Sequence, residues 1–182
     1  VGIAAPLIAP HPQDVGSVTN LDQRLEGPSA EHPFGTDALG RDIFSRVLFG
    51  AQISIRIAVL VVGSALAIGI PLGLLAGYVG GRTEMLIMRV TDVFVSVPRL
   101  ILPVAVAGAL GPSLRNVMLA LIVTWWPWYV RLLRSEVKEV KQAEYVQAVE
   151  GLGASKIRIM FRHLLPNSIT SLLVQATMDM GW

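Results

Sequence analysis

The sequence predicts an all-α membrane protein, and three observations carry that prediction. Of 182 residues, 53% are hydrophobic and only 15% charged, where soluble domains run near 25% charged. Residues 57 to 81 contain no charged side chain, and about 20 apolar residues suffice to cross the hydrocarbon core. The charges that remain are sorted by segment, as in chains oriented across a bilayer.

Residues 1 to 9 are apolar and read as the end of a first span whose start is missing; they lack a basic flank and are too short for a signal peptide. Residues 168 to 182 read as a span that stops before it is finished, so the chain is expected to be an internal piece of a longer protein. The expected organisation is the end of a transmembrane helix over 1–10, an extracytoplasmic loop over 11–50, and a transmembrane core over 51–182 with a cytosolic loop at about 135–166.

Within the uncharged run, Gly69, Gly73, Gly77 and Gly81 recur every four residues. This spacing predicts a ridge along one helix face where another helix approaches closely, against the plainer reading that membrane helices tolerate glycine. Pro71 is expected to kink this span.

Residues 85 to 110 are mostly apolar and predict a second span, interrupted by Pro98 and Pro103 and carrying Arg89, Asp92 and Arg99. Charges at membrane depth face protein or a water-filled cavity. Arg89 and Asp92, three apart, are placed to pair on one helix face. They serve either as a structural pair at the helix end or as lining of a transport route. Gly111-Pro112-Ser113 is a turn signal. Residues 116 to 130 are uncharged, with Trp125, Trp126, Trp128 and Tyr129 just before Arg131 and Arg134, a pattern expected at a membrane interface.

All three lysines, Lys138, Lys141 and Lys156, lie between 131 and 163, with Arg131, Arg134, Arg158 and Arg162. The segment 11–50 has no lysine and three arginines against six acids. The positive-inside bias therefore places 131–163 in the cytosol and 11–50 outside.

The cytosolic segment is built as helix, turn, helix. Residues 135 to 150 lack Gly and Pro and read as helix continuing out of the membrane, ended by Gly151 and Gly153. Ser155 is a cap for a new helix. Ile157, Met160, Phe161, Leu164 and Leu165 form an apolar stripe until Pro166 breaks the run. On periodicity alone, this second helix is equally an amphipathic helix lying on lipid.

Gln147-Ala148-Val149, Gly153 four residues on, and His163-Leu164-Leu165-Pro166 after nine more resemble, without a gap, the EAA loop of ABC importer permeases. Gln147, Val149 and His163 depart from that pattern. Tyr145-Val146-Gln147-Ala148 and Arg162-His163-Leu164-Leu165-Pro166-Asn167 look like its peptide and nickel branch. A second resemblance covers 31–50, which includes Glu31-His32-Pro33-Phe34-Gly35-Thr36-Asp37 and Gly40-Arg41-Asp42 and is similar to the second permease subunit of that branch, with Gln52 where Arg is common. Here Asp37, Arg41, Asp42 and Arg46 are placed to form ion pairs. The segment reads as a structural clamp, with contact to a solute-binding protein as the alternative.

The resemblance implies a type I permease bundle lacking its first span start and its final spans, in a bacterial or archaeal plasma membrane. It implies coupling to an ATPase through Ala143, Glu144, Tyr145, Gln147, Ala148, Glu150, Gly151, Gly153, Ala154 and Pro166. The implied partners are a second permease subunit, two ATP-binding subunits, an extracytoplasmic solute-binding protein and membrane lipid, with no nucleic acid. No cofactor is expected on this chain; ATP and Mg2+ belong to the partner subunits. The implied solute is a di- or oligopeptide, with nickel the alternative.

Enzyme readings find little support. There is no Gly-x-x-x-x-Gly-Lys-Ser/Thr loop and no cysteine. His11 and His32 fall outside and His163 inside, so the three cannot share one metal site, and none is expected. An ion-gradient-driven secondary transporter using Asp92, Arg99 and Asp179 is the rival from another class.

Overall fold

The computed structural model describes residues 4–16 and 19–181. The expected span end at 1 to 9 is therefore described only from residue 4, where a short helix α1 covers Ala5–Ile8; Trp182 of the unfinished last span lies outside the described residues. The chain divides into two compact units, Val1–Ile57 and Ala58–Trp182.

In the first unit, short 3-10 turns at Pro12–Val15 and Leu21–Gln23 precede a tightly bonded turn. The Asp37 carboxylate accepts the amides of Leu39 (2.8 Å) and Arg41 (3.1 Å) and the Arg41 Nε–H (2.9 Å). It also pairs with Arg46. Desolvation pushes the Asp37 pKa up, but the bonds to Arg41 and Leu39 outweigh it and hold the group at about 2. Gly40 closes the turn at φ +73°, and a Cβ there would lie 1.6 Å from the Asn20 carbonyl oxygen. Asp42 caps the next helix, its Oδ2 accepting the Ser45 amide at 2.7 Å.

That helix, α2, spans Ile43–Val79 and continues through Pro71. Its 37 residues extend about 55 Å, well beyond a hydrocarbon core of about 30 Å. The helix starts at Ile43, inside the segment 11–50 expected to be loop. Gly80 and Gly81 both take positive φ, +69° and +57°, and α3 follows at once over Gly81–Val95.

The predicted span over 85–110 is corrected to two shorter helices, α3 and α4 (Ile101–Leu110), separated by a turn at 96–100. Pro98 accounts for the break, since it disfavours helical geometry in the residue before it. Pro103 falls in the first turn of α4, where its missing N–H costs nothing. After a turn at Gly111, with φ +93°, α5 runs over Leu114–Lys141. Two helices of the described residues, α2 and α5, are long and apolar enough to cross a membrane.

Helix α5 ends at Lys141, not at Gly151 or Gly153. Ala143 adopts extended backbone (φ −65°, ψ 139°), and a separate helix α6 covers Glu144–Gly151. No Gly or Pro marks this break; it turns Val146 into the core, where that side chain is fully buried. Gly151 is the last residue of α6, while Gly153 follows it at φ +79°. The Ala154 amide bonds the Val149 carbonyl (3.3 Å) and the Gly153 amide that of Glu150 (3.0 Å). This is a Schellman stop, with glycine at the left-handed position. The Ser155 hydroxyl then accepts the Arg158 amide and caps α7, Lys156–Arg158.

Helix α7 runs into a π-helical turn, Ile159–Leu164, and on into α8, Leu165–Asp179. Pro166 therefore does not stop the run. It lies in the first turn of α8, and the lost Pro166 N–H bond is accommodated by the wider turn just before it, where the Leu165 amide reaches back five residues to Met160. The five-residue step also shifts the apolar phase. Ile159, Met160 and Leu164 are buried, while Ile157 and Phe161 of the expected stripe are exposed.

Candidate functional site

Three features of the second unit bear on function: a close helix contact, a polar network and an outward-facing helix.

The contact joins α2 to α5. A Cβ added to Gly69 would lie 2.6 Å from Tyr129 Cβ; on Gly73, 2.9 Å from Leu133 Cβ; on Gly77, 2.7 Å from Val137 Cβ. Glycines four apart thus receive residues four apart on α5, and the missing side chains set the approach of the two backbones. Gly81 does not continue this ridge. Among the described residues nothing lies within 4 Å of its would-be Cβ; it serves the turn into α3 through its positive φ. At this end of the contact Glu84 meets Lys138 (2.7 Å) and Arg134. Lys138 first and Arg134 second hold the Glu84 carboxyl below its usual pKa, against desolvation. Lys141 Nζ donates to the Tyr78 carbonyl at 2.8 Å.

The polar network is centred on Asp179, whose side chain is 3% exposed. Its Oδ1 accepts from Arg99 Nη2 (2.8 Å) and Gln175 Nε2 (3.1 Å). Its Oδ2 accepts from the Tyr129 hydroxyl (2.9 Å) and Trp125 Nε1 (3.2 Å). Four donors satisfy a carboxylate that burial would otherwise penalise. The Arg99 guanidinium also lies 4.3 Å from the centroid of the Trp125 ring. The aromatic cluster before Arg131 is therefore not a simple interfacial belt. Tyr129 is fully buried, and Trp126 packs edge-on to Phe94 at 5.4 Å.

Arg89 and Asp92 do not pair with each other. Asp92 bonds Arg131 of α5 at 2.5 Å, and exposed Arg89 takes part in none of the ion pairs among the described residues. Arg99, Arg131 and Asp179 instead line a cleft of about 450 Å3 with Trp128, Leu132 and Gln175. Sequence reasoning missed Trp125, Tyr129 and Gln175 as partners of Asp179. The first two stand 54 and 50 residues away, beyond any local spacing.

The third feature is α6 and the turn after it. Glu144, Tyr145, Gln147, Ala148, Glu150 and Gly151 face outward, as does Gly153, while Ala154 is half-buried and Pro166 exposed. Leu152 is 87% exposed, Ile157 68% and Phe161 57%. On the inner side, Val146 shares one core with Leu74 and Tyr78 of α2, Leu133 and Val137 of α5, Ile159 and Leu164 of the π turn, and Leu172 of α8.

A helical membrane component with a close-packed α2–α5 pair and an exposed helix and turn is the class that these features define. Residues 69–182 match the family described as "Binding-protein-dependent transport system inner membrane component", and the chain belongs to it. It is 41% identical over 181 residues to the dipeptide transport system permease protein DppC of Alkalihalophilus pseudofirmus, covering 100% of this chain and 59% of that protein. It is 48% identical over 179 residues to the probable D,D-dipeptide transport system permease protein DdpC of Escherichia coli, covering 98% and 59%. It is 39% identical over 170 residues to the glutathione transport system permease protein GsiD of Pectobacterium atrosepticum, covering 93% and 56%. The chain thus spans rather less than two thirds of the length of these relatives.

Proposed function

We propose that this chain is part of a multi-pass permease subunit of an ATP-driven importer for di- or oligopeptides in a bacterial or archaeal plasma membrane. On this reading it pairs with a second permease subunit, receives its solute from an extracytoplasmic binding protein, and leaves ATP and Mg2+ to two ATP-binding subunits. Family membership argues against the secondary-transporter rival, and the names of the relatives support a peptide solute over nickel.

The observation that carries the coupling role is the two-sidedness of α6. Its outer face leaves Tyr145 and Ala148 uncovered, as is Leu152 just after it, while its inner Val146 is locked into the core that binds α2, α5 and α8. A partner that grips the outer face therefore moves that core. ATPase closure would pull α6 and tilt the spans between inward- and outward-open states. The shift can be no larger than the partner's differential affinity for those two states. The cleft with Arg99, Arg131 and Asp179 is the best candidate for lining the route, Arg89 and Asp92 being peripheral to it.

Ala148→Trp tests this. Ala148 is exposed, so the substitution leaves the core intact and blocks only close approach. In the full complex, solute-stimulated ATP hydrolysis should fall at least about 10-fold, the factor that about 1.4 kcal/mol of lost coupling gives. Insertion of the permease should be unchanged. Normal stimulation in the Ala148→Trp variant would remove α6 as the coupling element.

A further inference from the structure

We propose a divalent metal site in the first unit, built from His11, Glu31 and His32, for a borderline first-row cation of the Zn2+ class. These three residues can each present one ligand atom, all within 4.8 Å of one another. Metal–ligand bonds of about 2.0–2.2 Å in a tetrahedral site put ligand atoms about 3.3–3.6 Å apart. Small side-chain rotations close the difference.

His32 is the strongest member of the set. It is only 3% exposed. Its Nδ1 lies 3.1 Å from Asp42 Oδ1, and its Nε2 is buried with no hydrogen-bond partner among the described residues. Leaving a buried ring nitrogen unpaired forfeits its hydration with nothing in return, so an Nε2 lone pair directed at a ligand gives this arrangement a purpose. An imidazole held through one nitrogen by a carboxylate, with the other free, is how metal-bound histidines are oriented. Asp42 is itself fixed, capping α2 through the Ser45 amide while its other oxygen faces His32.

His11 completes the pair. Its ring centroid is 4.7 Å from that of His32. Its Nε2 lies 3.1 Å from the Glu31 carbonyl and its Nδ1 3.4 Å from the Gln13 amide. Its own amide donates to Ser45 Oγ at 3.0 Å, which anchors the segment in place. Glu31 is exposed and half-buried His11 is reachable from solvent, so an ion can enter. Two imidazoles and one carboxylate suit Zn2+ or its neighbours over Ca2+ or Mg2+. The expectation of no metal site rested on His163 being remote; it left open a site made by the other two histidines with Glu31. A bound ion would tie residue 11 to residues 31 and 32 and so close a loop within the first unit.

The experiment is a Zn2+ titration against a competing chromophoric chelator, using the full-length parent protein purified in detergent through a histidine-free tag. The wild type should bind one tight equivalent. His11→Gln and Glu31→Gln should each weaken it at least about 10-fold, Asp42→Asn by about 10–100-fold, and His163→Gln not at all. His32→Gln should abolish it. If His32→Gln or Asp42→Asn fails to fold, the two peripheral variants decide. An absence of tight binding by the wild type, or affinity unchanged in either His11→Gln or Glu31→Gln, overturns the site.

Discussion

Glycine does different work in the two units. In the turn of the first unit, Gly40 supplies both a positive φ and the absence of a side chain, since a Cβ would meet the Asn20 carbonyl at 1.6 Å. In the α2–α5 contact, Gly69, Gly73 and Gly77 have ordinary helical backbone and supply only room, with the would-be Cβ atoms 2.6–2.9 Å from their nearest neighbours. A backbone oxygen in a bonded turn cannot retreat, whereas two helices can separate by a few tenths of an ångström. Substitution should therefore be graded by what the added atom meets.

The largest effect is expected at the turn. Gly40→Ala combines a strained φ with a backbone collision and should cost about 3 kcal/mol or more of local stability. Trypsin cleavage at exposed Arg24, beside the disrupted turn, should become much faster in the full-length protein. Unchanged cleavage would mean that the turn is not held as described.

At the helix contact the penalty should be smaller. Gly73→Ala is expected to cost roughly 1–3 kcal/mol by overpacking, read as a lower unfolding temperature in detergent. Gly108→Ala, with nothing among the described residues within 4 Å of its would-be Cβ, should be neutral or slightly stabilising, because alanine favours helix. Leu133→Ala should not rescue Gly73→Ala, since the collision is with the Leu133 Cβ and the Val130 carbonyl. Rescue would show that side-chain bulk, and not backbone approach, sets the contact.

The same contrast explains what could be read from sequence. The helix contact is legible because a spacing of four on one helix is a local pattern, and it fails only at Gly81, where turn geometry overrides periodicity. The break at Gln142–Ala143 was hidden because its cause is the burial of Val146 among residues far along the chain. The π turn before Pro166 was hidden for a related reason: proline signals a lost bond, but not whether the helix stops or widens. The partners of Asp179 come from α5, α8 and the turn at 96–100, so Asp179 and Arg99 were visible as charges, but only the fold brings Trp125 and Tyr129 to them. In the first unit the Asp37–Arg41 spacing of four was readable, whereas Asp42 turned from the arginines toward His32, ten residues back.

The smallest effect is confined to acid. Burial alone would raise the Asp37 pKa, but bonds to Arg41 and Leu39 overcome that and bring it from 3.8 to about 2. A carboxylate whose pKa is depressed by folding contributes stability in full above its unfolded pKa and loses it as pH falls toward the folded value. The first unit should accordingly loosen between about pH 4 and pH 2 and be insensitive to Asp37 above that range. Hydrogen exchange of the Leu39 and Arg41 amides, which donate directly to this carboxylate, is the local readout. Asp37→Asn should expose those amides at every pH and flatten the acid dependence. The helix contact ends at Glu84, whose carboxyl Lys138 and Arg134 also hold below its usual pKa, so that seam loosens in acid on its own account, and Asp37→Asn should leave its protection unchanged at every pH. A loss of protection at the seam on Asp37→Asn would tie the two regions into one cooperative unit and void the distinction between them.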